Sequence, residues 1–260
     1  MRWNRIVKRD GRTVIVAMDH GTFAGPMRGI EKPGETIEKM IEGGADAMLL
    51  TPGTVAKFAD IISGNIGAIV RVDGSNTLLG RLGQGPKSYM VIDVRGAVKL
   101  GGDGVVAMGY IGSPFEIESL AMLSKISQDC MEYGMPLLAE MFPSGPKIQN
   151  PSDPEIVKLS ARVGAEIGAD FIKTHYTGDP KTFSEVVEST PVPIVILGGP
   201  KRESIKEVLA DVKDALSAGA IGVAFGRNIW QAEDPVEMLR AVVKIVHENA
   251  SVEEAMAELK

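Results

Sequence analysis

The strongest constraint on this 260-residue chain is a recurrence of short apolar runs rich in Val, Ile and Ala, each followed by a turn signal and an amphipathic stretch. The runs begin near Thr13, Ala45, Ala68, Gly104, Pro136, Asp170, Ile194 and Ile221. Their mean spacing is about 30 residues, the length of one β-strand with its crossover helix, so the chain reads as eight βα units. Runs such as Ile194-Val195-Ile196-Leu197 are continuously apolar and do not alternate, as a parallel sheet buried on both faces requires. Between the runs lie helix signals. Asp153, Pro154 and Glu155 precede Ile156, Leu159, Val163 and Ile167, which are spaced for one helical face. Similar helices are expected after Pro114, Glu203 and Asp234, and another after Ser251, where Glu254 completes a capping-box spelling. With no linker or break in composition, the units fit a single α/β domain over residues 1–260, a closed (β/α)8 TIM barrel, better than an open doubly wound sheet.

Composition narrows the function. Apolar residues make up 44% and charged residues 24%, which excludes wholesale disorder. There are 28 basic and 34 acidic residues, a net charge of −6, with no long basic run, so no nucleic-acid partner is expected. The longest apolar runs, such as Thr13 to Met18, are far shorter than the roughly 18 residues of a membrane span. Met1 to Arg5 lack the apolar region of a secretory signal, so a cytoplasmic location is expected and the sequon Asn249-Ala250-Ser251 would carry no sugar. Cys130, the one cysteine, falls in an expected helix (124–133) and reads as a packed small apolar residue. His20, His175 and His247 lack the close spacing of a zinc site, so no metal is expected.

Chemistry in such a barrel sits where the strands end. The ends are Asp19-His20-Gly21, Thr51-Pro52-Gly53, Arg71, Tyr110, Glu140-Met141-Phe142, Lys173-Thr174-His175, Gly198-Gly199 and Gly226-Arg227. Lys173 closes an apolar run, and a desolvated amine there is suited to attack a carbonyl; a solvated loop lysine is the alternative. Gly198 and Gly199 follow the seventh strand, and Gly226 and Arg227 the eighth. These are the positions of the recurrent barrel phosphate site, to which Lys201 would add charge, although glycines also serve simply to turn a chain. Asp19 ends the first strand, where a carboxylate could orient a substrate hydroxyl or shuttle a proton, and His20 beside it is expected to bind substrate or phosphate; an Asp opening a turn with His20 packed beneath it is the alternative. Glu140 and Phe142 share a face of the fifth strand and, if that face points inward, Glu140 adjoins Lys173. The run Gly80 to Ser88 has a P-loop-like spelling, but Pro86 interrupts it and no strand is expected before it.

The motifs Met18-Asp19-His20-Gly21, Ile172 to Asp179, Gly198-Gly199-Pro200-Lys201 and Gly226 to Gln231 together resemble the archaeal-type class I aldolases, whose superfamily includes deoxyribose-phosphate aldolase. The resemblance implies a Schiff base between Lys173 and a phosphorylated ketose, Asp19 assisting proton transfer or holding a hydroxyl, and phosphate held by Gly199, Gly226 and Arg227. It also implies no metal or other cofactor, and a large homo-oligomer such as a decamer. Three branches compete. Residues 141–150 and 245–255 resemble aminodideoxyheptulosonate synthase, the favoured reading; fructose-bisphosphate aldolase shares every core motif; Asp19 to Pro26 and Tyr110 to Ser113 are similar to the autoinducer-2 phosphate thiolases. Both aldolase branches carry an acid/base tyrosine where this chain has Phe142, whose ring has no proton to give. Glu140 is the expected substitute, with Tyr110 or His175 in reserve. A phosphosugar-binding protein without turnover is the non-enzymatic alternative.

Overall fold

Residues 2–80 and 85–259 are described by the computed structural model. The apolar runs form eight strands: Thr13–Ala17, Ala47–Leu50, Gly67–Arg71, Gly104–Ile111, Leu137–Pro143, Phe171–Thr174, Ile194–Leu197 and Gly222–Phe225. They pair in parallel in this order, and the eighth bonds the first (Thr13 opposite Gly222, Val16 opposite Phe225), which closes the barrel. The expected fold is therefore the observed one. Among the described residues no helix is long and apolar enough to cross a membrane.

Strand geometry sorts the side chains into two cores. Ile15, Leu49, Ile69, Val106, Leu138, Phe171, Val195 and Ala224 fill the interior, closed from below by Ile6, Val7 and by Trp3, whose ring meets Phe171 edge-on at 5.2 Å. Their neighbours Val14, Val16, Met48, Leu50, Val70, Ile172 and Val223 point outward and pack under the helices. Below the barrel a carboxylate device recurs. Asp46, Asp103 and Asp170, just before the second, fourth and sixth strands, accept the first free backbone N–H of the preceding strand, from Val14 (2.6 Å), Ala68 (3.0 Å) and Leu137 (2.7 Å).

The helices begin on caps. Asp153 accepts from the backbone of Glu155 and Ile156, Asp179 from Thr182, Ser204 from Glu207 and Asp234 from Val236 and Glu237, and the Ser251–Glu254 capping box is formed. The helix expected around Cys130 runs Glu116–Tyr133 and buries the thiol. One expected face is corrected. In helix Pro154–Ile167 the buried residues are Val157, Ser160, Ala161 and Gly164, while Leu159 is 56% exposed. Close approach to the barrel favours small residues, since a Cβ at Gly164 would lie 2.7 Å from Met141 and 2.9 Å from Ile172. A two-stranded antiparallel hairpin, Asp73–Ser75 with Ser88–Met90, also stands over the third strand where the sequence signals no strand. The P-loop-like run includes residues 81–84, which lie outside the described residues.

Candidate active site

The inward parity of each strand continues past its last interior residue. Two residues beyond Ala17, Ile69, Leu138, Phe171 and Ala224 stand Asp19, Arg71, Glu140, Lys173 and Gly226; Met108 and Tyr110 continue Val106, and Phe142 continues Glu140. All of these line one cavity of about 360 Å³ at the C-terminal mouth of the barrel, together with His20, Asp73, Ser75, Leu78, Gly198, Gly199 and Arg227.

At the cavity floor Lys173, 5% exposed, places Nζ 2.6 Å from Glu140 Oε1. The other Glu140 oxygen meets Arg71, whose Nε donates to Asp19 Oδ2 at 2.7 Å and whose Nη1 donates to Asp73 Oδ1 at 3.2 Å. Asp73 Oδ2 accepts the Met108 backbone N–H at 3.0 Å. Burial opposes ionisation of Asp19, but Arg71, His20 and Lys173 outweigh it and hold the carboxyl well below the usual range. Glu140 is likewise held low against burial by Lys173 and Arg71. Asp73 goes the other way: burial raises it, and Arg71 only partly compensates.

The opposite wall of the cavity is formed by the loops after the seventh and eighth strands. Gly199 adopts the left-handed conformation (φ 65°), which glycine tolerates at no cost, and Gly226 starts the short helix Arg227–Trp230. A Cβ on Gly226 would come within 2.8 Å of the Ala17 carbonyl oxygen and 2.9 Å of the His20 ring. Buried Asn228 joins the two loops. Its Nδ2 donates to the Gly198 (2.6 Å) and Pro200 (3.2 Å) carbonyls, and its Oδ1 accepts the Arg202 N–H at 2.9 Å. Trp230 Nε1 donates to the Ala17 carbonyl at 2.9 Å, tying this helix to the first strand. Arg227 Nε is buried without a hydrogen-bond partner, and burial lowers the pKa of the guanidinium. His20 packs against Phe23 and Trp230 at ring separations of 5.7 and 5.4 Å, and burial lowers its pKa despite Asp19, which approaches to 3.5 Å.

Nine of the sequence-derived residues thus converge: Lys173, Asp19, Glu140, Tyr110, His20, Gly198, Gly199, Gly226 and Arg227. Two do not. Lys201 is exposed outside the cavity lining, and His175, directly after the sixth strand, is also outside it, its ring 5.1 Å from Phe142 and its Nδ1 buried without a partner. Burial pushes His175 down to about 4. Arg71 stood among the strand ends without a role, and Asp73 was missed. Counting by twos from Ile69 finds both.

A model described as DeoC/LacD family aldolase matches residues 13–232. The chain is 36% identical over 249 residues to the fructose-bisphosphate aldolase class 1 of Thermoproteus tenax, covering 94% of this chain and 92% of that one. It is 37% identical over 256 residues to 2-amino-3,7-dideoxy-D-threo-hept-6-ulosonate synthase 1 of Archaeoglobus fulgidus, covering 98% and 93%. Among solved structures, an archaeal fructose-1,6-bisphosphate aldolase with its catalytic lysine covalently bound to the carbinolamine intermediate superposes with a TM-score of 0.86 at 35% identity, covering 94% of this chain and 98% of that one.

Proposed function

The chain belongs to the DeoC/LacD family of aldolases, and from that premise we propose that it is a metal-independent, Schiff-base-forming aldolase or transaldolase acting on a phosphorylated ketose, with Lys173 as the nucleophile. The observation that carries the reading is the buried Lys173–Glu140 contact of 2.6 Å at the floor of a cavity whose other end holds Arg227 and the glycine loops.

Glu140 takes a proton from the Lys173 ammonium, and the freed amine attacks the ketose carbonyl carbon. The carbinolamine loses water to give the iminium. In the cleavage direction a base takes the proton of the hydroxyl on the carbon to be released; the adjacent carbon–carbon bond breaks, its electron pair enters the iminium as an enamine, and an aldehyde leaves. Protonation of the enamine carbon and hydrolysis return Lys173. Glu140 serves the proton steps that the Phe142 ring cannot, and Asp19 holds the reacting hydroxyl. Gly199, Gly226 and Arg227 hold the phosphate, with Arg227 Nε as a waiting donor.

Residues 141–150 and 245–255 favour the heptulosonate synthase reaction. Fructose-bisphosphate cleavage is the second reading, supported by the Thermoproteus relative. The test is mass spectrometry after borohydride reduction with fructose 1,6-bisphosphate, dihydroxyacetone phosphate, a deoxyketofructose phosphate and phosphorylated hydroxypentanedione, followed by turnover with and without coenzyme A. An adduct on Lys173 and carbon–carbon cleavage without coenzyme A are expected. No adduct with any of the four compounds would move the protein to a phosphosugar-binding role, and dependence on coenzyme A to a thiolase.

A further inference from the structure

Three buried carboxylates of the cavity floor share one cation. Arg71 Nη2 contacts both Asp19 Oδ2 and Glu140 Oε2, Nε repeats the contact with Asp19, and Nη1 reaches Asp73, itself fixed by the Met108 backbone. Glu140 therefore spans two cations, Arg71 through Oε2 and Lys173 through Oε1. Only one of these survives the chemistry unchanged. When the Lys173 amine adds to a carbonyl and water leaves, the nitrogen goes from an ammonium with three N–H donors to an iminium with one. Arg71 keeps all its donors throughout, and its planar fork fixes direction as well as charge.

We propose that Arg71 is a positioning residue of the reaction: it holds Glu140 in place after Lys173 has become an iminium and sets Glu140 against Asp19, with Asp73 anchoring the guanidinium from behind. The proposal rests on Lys173 forming the Schiff base. The charged and titratable groups around the guanidinium are Asp19, Asp73 and Glu140, with Lys173 and His20 beyond them.

A half-reaction separates this proposal from the reading beneath it. With dihydroxyacetone phosphate as the probe, borohydride trapping reports iminium formation, and loss of the probe's carbon-bound proton to deuterated solvent, followed by NMR, reports the proton transfer that makes the enamine. In Arg71→Met the Lys173 adduct is expected within about threefold of wild type, whereas exchange falls on the order of 100-fold, as for loss of a positioned acid–base group. Its acid limb should rise by at least about one pH unit, because Asp19 and Glu140 then face each other without the intervening cation. Arg71→Lys returns one charge and should recover about tenfold in exchange. Unchanged exchange and pH profile per folded molecule in Arg71→Met overturn the proposal, as does a raised KM with undiminished maximal rate, which would make Arg71 a substrate ligand. If Arg71→Met does not fold, Asp73→Asn keeps the Met108 contact and loosens only the anchor. A drop of about tenfold in exchange with KM held supports the proposal, and no change overturns it. Absence of an adduct in the wild type removes the reading and the proposal together.

Discussion

Glu140 and Phe142 stand two residues apart on the same inward face, and on the proposed mechanism the pair decides where the proton goes. The Phe142 ring has nothing to donate, while Glu140 meets the amine and is held anionic by Lys173 and Arg71 against the cost of its burial. Glu140→Gln keeps the shape and removes the base, so turnover of the identified substrate should fall by about 10²–10⁴-fold while Arg71 still holds Asp19. An unchanged rate in steady-state assays would sink the assignment. Lys173→Met should abolish both the borohydride adduct and turnover. His175 offers a contrast: pushed down to about 4 by burial, it is neutral throughout the working range and lies off the cavity lining. His175→Gln should therefore leave the pH–rate profile between pH 5 and 8 unchanged, and a lost limb would restore the histidine as a proton donor. Lys173, Asp19 and Glu140 were legible in sequence because each ends an apolar run. The role of Arg71 was not, because its meaning lies in partners 52 and 69 positions away, a separation that strand alternation does not encode.

At the level of loops and helices, the proposed phosphate site depends on a residue that would touch no phosphate. Asn228 makes three part-buried hydrogen bonds to the loop after the seventh strand, each contributing about 0.5–1.5 kcal/mol. Asn228→Ala should free the 198–202 loop from Arg227. KM for the phosphorylated substrate would then rise by about tenfold or more, with a smaller effect on kcat, and equal loss in both would argue for damage to the floor instead. The glycines marked these two loops in the sequence, since their backbone freedom is a local property. The face of helix Pro154–Ile167 was misread for a related reason: an apolar stripe selects large residues such as Leu159, whereas packing close to Met141 and Ile172 selects Ser160, Ala161 and Gly164. The hairpin was invisible because strands of three residues carry too little periodicity to register.

Over the whole molecule, the first and last units must be held together at the end of the barrel opposite the chemistry. His247, in the last turn of helix Pro235–Glu248, performs this function. Its Nδ1 lies 2.6 Å from Asp10 Oδ2 in the entering segment, and its Nε2 lies 2.9 Å from Asp46 Oδ2, the carboxylate that also caps the Val14 N–H of the first strand. The hydrogen bond to Asp46 raises the His247 pKa above the ordinary value, burial opposing and Asp10 adding to the rise. The folded chain therefore holds this proton more tightly than the unfolded chain does. The stabilisation is complete below about pH 6.5 and is lost as pH climbs through the raised folded value. Asp10, whose carboxyl is held low by the same partner against burial, contributes in the opposite direction: its share is present above the ordinary carboxylate range and disappears as pH falls through its lowered value. Between these limits the clasp is closed. Tm measured by calorimetry should fall as the pH is raised past the folded value of His247. In His247→Gln that slope should flatten while the Lys173 adduct is retained, because the clasp and the cavity lie at opposite ends of the strands. A Tm that keeps the same alkaline slope in the variant would show that some group other than His247 carries the alkaline loss of stability.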